Sequence, residues 1–105
     1  MRGFAAEGVN VVSLGLVSTD MCHWSSVRFD DIDLAVMVTA SHNPGRYNGV
    51  KVCEKGGVPF NFKTHSPAIR SIMSDLPELL GGQSGTIEFR SILEDWIGHV
   101  SAFAA

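Results

Sequence analysis

Residues 34–38 read Leu-Ala-Val-Met-Val, and residues 39–45 follow as Thr-Ala-Ser-His-Asn-Pro-Gly. An unbroken apolar run of this length, bounded by turn formers, is the pattern of a strand buried on both faces, the kind that fills the middle of a parallel sheet. The turn formers break the strand, and Gly49-Val50-Lys51-Val52-Cys53 reads as a further short strand that ends near Gly56-Gly57. Any chemistry is expected between these two strands, because ligands of open α/β sheets bind beyond the carboxyl ends of strands.

The flanking sequence extends the α/β pattern in both directions. Residues 1–8 read as the end of a helix, with Gly8 where helices commonly stop. Residues 9–14 form a short β-branched run closed by Gly15, a second buried strand. Ser18 or Thr19 caps a helix over about residues 20–29, with Met21, Trp24, Ser25 and Arg28 near one face. Downstream, Ser66-Pro67 opens a helix that carries Ile69, Ile72 and Met73 on one side before Pro77. Gly81-Gly82-Gln83-Ser84-Gly85-Thr86 is a linker-like stretch and marks a boundary. Ser91-Ile92-Leu93-Glu94 fits a capping box, and Ile92, Leu93, Trp96, Ile97, Val100 and Phe103 make one apolar stripe down a closing helix.

Composition narrows the classes. The 105 residues are 45% hydrophobic and carry eight basic and eleven acidic side chains for a net charge of −3, which fits one globular domain at most. Such a balance predicts neither a nucleic-acid groove nor a basic membrane patch. No stretch approaches the roughly 20 apolar residues of a spanning helix, and residues 1–7 lack the apolar run of a signal peptide, so a cytoplasmic protein is expected. Cys22 and Cys53 lie far apart in sequence, belong to no C-x-x-C pair and read as reduced thiols. Two or three strands with intervening helices make only half of a doubly wound sheet, so the chain reads as a partial three-layer α/β/α domain.

Within the turn, Ser41 offers a hydroxyl as nucleophile or phosphate carrier, His42 can exchange protons near neutral pH, and Asn43 can orient a ligand by hydrogen bonds. Pro44 stiffens the turn, while Arg46 and Lys51 add two cations, enough for a small phosphate and too few for a polynucleotide. A Ser-His pair on a turn is more often structural than catalytic, and the residues alone leave both readings open. Asp30, Asp31 and Asp33 read as a solvated connection rather than a metal cluster, and His23, His65 and His99 are scattered. Trp96 and its neighbours read as packing surface rather than a sugar platform.

Thr39-Ala40-Ser41-His42-Asn43-Pro44, followed by Tyr47-Asn48-Gly49-Val50-Lys51, resembles the phosphoserine signature of the α-D-phosphohexomutase superfamily, the phosphoglucomutases and phosphomannomutases. Gly8-Val9-Asn10-Val11-Val12 and Gly15-Leu16-Val17-Ser18-Thr19-Asp20 resemble the preceding strand and loop, and residues 92–100 are similar to the helix that enters the second domain. The resemblance implies an isomerase, an intramolecular phosphotransferase that moves phosphate reversibly between positions 1 and 6 of a hexose phosphate. It implies transfer through a sugar bisphosphate and a phosphorylated Ser41. It also implies that Ser41 meets Mg²⁺ through its phosphate, that His42 or Lys51 relays the proton with Lys51 favoured as base, and that Asn43 and Arg46 frame the phosphate.

The same resemblance places a Gly-rich arginine segment before Met1, and the metal, sugar-selecting and carboxy-terminal phosphate loops after Ala105. Residues 1–86 are thus expected to be a partial first domain and residues 87–105 the lead into a second, with little activity in the chain alone. Residues 21–26 and Arg90-Ser91 depart from the family pattern and leave Ser41 untouched. A phosphoglucosamine mutase shares the serine motif and is the nearest alternative. A catalytically silent module, self-associating through the exposed helix stripe, is the alternative from another class. A serine hydrolase is disfavoured because Ser41 sits in no G-x-S-x-G elbow.

Overall fold

The computed structural model describes residues 1–74 and 82–104. In chain order its elements are α1 (Arg2–Ala6), β1 (Val11–Ser13), α2 (Thr19–Arg28), β2 (Leu34–Val38), β3 (Val50–Glu54), a 3-10 turn (Lys55–Gly57), β4 (Val58–Pro59), α3 (Phe62–Ser74), β5 (Ile87–Phe89) and α4 (Leu93–Ser101). The chain is α/β, the class expected from the alternation of apolar runs and helical periods. It divides into two compact units, residues 1–15 with 61–91 and residues 16–60 with 92–105. No helix among the described residues is long and apolar enough to cross a membrane.

In the first unit β1 pairs parallel with β5, from Val11 opposite Ile87 to Ser13 opposite Phe89. The pairing starts from side-chain chemistry. The amide and the hydroxyl of Thr86 both donate to Asn10 Oδ1, at 3.0 and 3.2 Å, and set the register one residue before the ladder begins. Residues 82–86, expected as a linker, are anchored here, because the Gly85 amide also donates to the Ala5 carbonyl at 2.7 Å. A side chain on Gly85 would run into the Val9 carbonyl, so only glycine allows this approach. Gly81 and Pro77 lie outside the described residues.

The helix expected to open at Ser66-Pro67 starts earlier. Asn61 Oδ1 accepts from the Thr64 amide at 3.1 Å, a cap that begins α3 at Phe62 and leaves Pro67 inside the helix. The Asn61 cap, five residues upstream of Ser66, takes the helix start before the Ser-Pro signal is reached. Ile69, Ile72 and Met73, expected to pack, are 38%, 64% and 66% exposed.

The second unit holds the core. Ser18 caps α2 by accepting from the Met21 amide at 3.2 Å. Its buried residues are Cys22, Ser25 and Ser26, so of the four residues expected near one face, Met21, Trp24, Ser25 and Arg28, only Ser25 is buried. The two serines are compatible with burial because each hydroxyl turns back on the helix: Ser25 Oγ donates to the Cys22 carbonyl at 2.6 Å and Ser26 Oγ to the His23 carbonyl at 2.7 Å. Small satisfied side chains let the helix lie close to the strands. Cys22, Ala35 and Cys53 form the buried cluster, with Val17 and Met37 packed against it.

The strand at 34–38, expected in the middle of a parallel sheet, pairs antiparallel with β3, which pairs antiparallel with β4. The sheet order β2-β3-β4 puts β2 at an edge, and Val38 is 73% exposed. The physical reason is the connection. A parallel pair needs a crossover of a dozen or more residues, usually helical, whereas residues 39–49 contain no helix and close a hairpin.

The capping box expected at Ser91 does not form. Ile92 occupies the N-cap position of α4 with no side-chain cap, and is itself almost fully buried at 1% exposure. Burial of Ile92 overrides the local cap and moves the helix start by one residue. Trp96 meets Trp24 edge-on with ring centroids 5.4 Å apart, and His99 lies 5.1 Å from Trp24 and 5.2 Å from Phe103. The rest of the expected stripe, Leu93, Ile97, Val100 and Phe103, is exposed.

Candidate functional site

The residues singled out by sequence fall on the connection between β2 and β3. Val38 opposite Val50 is the last ladder pair, and the Thr39 amide extends the ladder by donating to the Gly49 carbonyl at 3.0 Å. Both ends of the connection are therefore clamped by strand hydrogen bonds. Gly49 suits this closure because a Cβ there would lie 3.2 Å from the Thr39 carbonyl oxygen.

Inside the clamp the backbone makes a tight turn. Asn43 donates twice to the Ala40 carbonyl, through its backbone N–H at 3.0 Å and its side-chain Nδ2 at 3.1 Å. The Tyr47 amide donates to the Pro44 carbonyl at 2.9 Å. Ser41 sits at φ +54°, the left-handed region, and no other non-glycine residue among those described has a positive φ. Such a conformation costs a residue with a side chain on the order of 1–2 kcal/mol. The Ser41 amide donates to Thr39 Oγ1 at 2.9 Å, and one hydrogen bond of this kind offsets about 1 kcal/mol. The turn thus spends local stability to hold one serine in a chosen orientation.

Thr39, Ser41, Asn43, Tyr47, Gly49 and Lys51 line an open concavity of about 230 Å³. Of the expected site residues, Ser41, Asn43 and Lys51 converge on it, while His42 and Arg46 lie on the same connection but do not line it. All five are exposed. The Arg46 guanidinium stacks over the Tyr47 ring at 5.1 Å, which restrains a long side chain by a cation–π contact. Lys51 is placed by register, since it pairs with Met37 one residue inside the last ladder pair. Thr39, Tyr47 and Gly49, which the signature includes without a role, also line the hollow. A Thr two residues before the serine is the signal that could have found Thr39, because its hydroxyl can close a local turn on the N–H two positions on.

A hydroxyl, an amide and an ammonium around one small hollow suit a phosphate group. They do not suit a divalent cation alone. The lining includes no carboxylate, and the described residues hold no group of three His, Cys, Asp or Glu side chains able to bind a metal ion. The Asp30–Asp33 connection is engaged otherwise, with Lys55 Nζ donating to the Asp30 carbonyl at 2.6 Å and lying 3.9 Å from Asp33 Oδ1.

Comparison with known proteins identifies a family. The family model of phosphoglucomutase/phosphomannomutase, alpha/beta/alpha domain I, matches residues 1–78. A probable phosphoglucosamine mutase of Methanocella arvoryzae is 35% identical over 88 residues, 80% of this chain and 19% of that protein. A phosphoglucosamine mutase of Dictyoglomus thermophilum is 38% identical over 57 residues, 54% of this chain and 12% of that protein. A phosphomannomutase of Escherichia coli is 27% identical over 104 residues, 97% of this chain and 23% of that protein. The chain spans 12 to 23% of the length of these curated relatives.

Proposed function

The chain belongs to the phosphoglucomutase/phosphomannomutase family, through domain I, and from that premise we propose that Ser41 is the phosphoryl carrier of a mutase acting on hexose phosphates. The observation that carries the reading is Ser41 itself, an exposed serine held at positive φ on a clamped turn, with Lys51 and Asn43 in the same concavity. In the transfer, Ser41 Oγ attacks the phosphorus of a hexose 1,6-bisphosphate, the bond from phosphorus to the sugar oxygen breaks, and the serine proton passes to that departing oxygen. The reverse step, on the other hydroxyl of the sugar, interconverts the 1- and 6-phosphates. Positioning and charge neutralisation supply most of the catalysis in such reactions.

Lys51 is the better placed proton relay, since it lines the hollow with Ser41 and His42 does not. Asn43 and Arg46 would frame the phosphate, Arg46 from its stacked position on Tyr47. Mg²⁺, which the family resemblance implies, would neutralise charge on the transferring group. These residues do not make a magnesium site of their own, so Ser41 would meet the ion only through its phosphate oxygens. Residues 1–86 are read as part of domain I and 87–105 as the lead into a further domain, in a cytoplasmic enzyme. Relatives named for both phosphomannose and phosphoglucosamine chemistry match this region, so the sugar is left to the assay.

The test is phosphorus NMR of the chain mixed with Mg²⁺ and, in turn, glucose, mannose or glucosamine 1,6-bisphosphate. A phosphoserine resonance with matching loss of bisphosphate, missing from Ser41→Ala, is the expected result. Equal signals from both proteins overturn the reading.

A further inference from the structure

We propose that Thr39 is a positioning residue for Ser41, its hydroxyl holding the serine in the left-handed conformation that presents Oγ to the hollow. The inference rests on the reading of Ser41 as phosphoryl carrier. Thr39 is the one residue bonded at both levels of the site. Its amide donates to the Gly49 carbonyl at 3.0 Å and fixes it to the end of the ladder, while its Oγ1 accepts from the Ser41 amide at 2.9 Å. The first contact makes Thr39 part of the sheet, and the second transmits that rigidity to a backbone at φ +54°.

A β-branched residue suits this task because its χ1 is stiff, so the hydroxyl is aimed before Ser41 docks on it. The Asn43 contacts to the Ala40 carbonyl brace the turn on its other side but leave the Ser41 N–H to Thr39. Without the hydroxyl the serine is free to relax toward negative φ, and Oγ then spends less time where a phosphoryl group can be passed in line.

Thr39→Val removes the hydroxyl with little change of shape, and Thr39→Ser keeps the hydroxyl without the methyl. NMR hydrogen exchange of the full chain should show the Ser41 amide exchanging roughly three- to tenfold faster in Thr39→Val. Thr39→Ser should restore it, and the amides of β3 should not change. Phosphorylation of Ser41 by a hexose bisphosphate should slow by a similar factor at saturating donor, with the half-saturating donor concentration unaltered. An unchanged Ser41 amide in Thr39→Val, faster exchange throughout β3, or no rescue by Thr39→Ser overturns the proposal. Phosphate taken equally by the wild type and by Ser41→Ala would defeat the carrier reading instead, and the exchange measurement separates the two failures.

Discussion

A Cβ built on Gly57 would lie 2.9 Å from Val27 Cγ2, so the last residue of the 3-10 turn is pressed against the helix that covers the sheet. Gly57 also has φ +79°, a conformation that side chains disfavour. Two independent reasons therefore require glycine where α2 meets the turn after β3.

Gly57→Ala should destabilise the chain by about 1–3 kcal/mol in a urea titration. A double-mutant cycle with Val27→Ala separates the reasons. Shortening Val27 should recover the steric part and leave about 1 kcal/mol from the backbone. No recovery in the double variant would mean that the contact with Val27 contributes nothing.

Stability should also respond to alkaline pH. Burial, and secondarily the nearby Cys53, pushes the Cys22 thiol up from its ordinary value of 9.0. The folded chain then holds this proton more tightly than the unfolded chain. The stability it contributes is fully present below pH 9.0 and is lost as pH rises through the higher folded value. Thermal melts should show Tm falling as pH rises above 9.0, and Cys22→Ala should flatten the fall. An identical alkaline slope in the variant would contradict the assignment.

The contact between α2 and α4 should depend on rings rather than charge. Arg28 and Asp95 are 3.6 Å apart but 53% and 46% exposed, an ion pair worth less than about 1 kcal/mol. Trp24 meets Phe29, Trp96 and His99. Trp24→Ala should lower stability by about 2–4 kcal/mol, and Asp95→Asn by a few tenths. Comparable losses in the two variants would invert this ranking.

Three of the five candidate residues line the hollow and were legible because they depend on local chemistry, while His42 and Arg46 fall outside it. Ser41, Asn43 and Lys51 could be named from a turn of Ser, Asn and Pro between two apolar runs, and the hairpin brings those three to one hollow. The direction of the sheet was not legible, because Leu-Ala-Val-Met-Val is equally apolar in a parallel middle and at an antiparallel edge. Only the absence of a helix between residues 39 and 49 decides between them. The boundaries of α3 and α4 depart from the local signals where a neighbour outweighs them: Asn61 captures the start of α3, and burial of Ile92 sets that of α4. The buried face of α2 was hidden by its chemistry, since serines read as polar until their hydroxyls are seen to bond the helix's own carbonyls.

Replacing Ser41 tests the central claim at its smallest unit. Peptide mapping by mass spectrometry should find, in the chain purified from its own host, one phosphate confined to Ser41. It should leave the peptide when a hexose 1-phosphate and Mg²⁺ are added, and Ser41→Ala should carry none. Phosphate on another residue, or phosphate retained by Ser41→Ala, would contradict the assignment of Ser41 as the carrier.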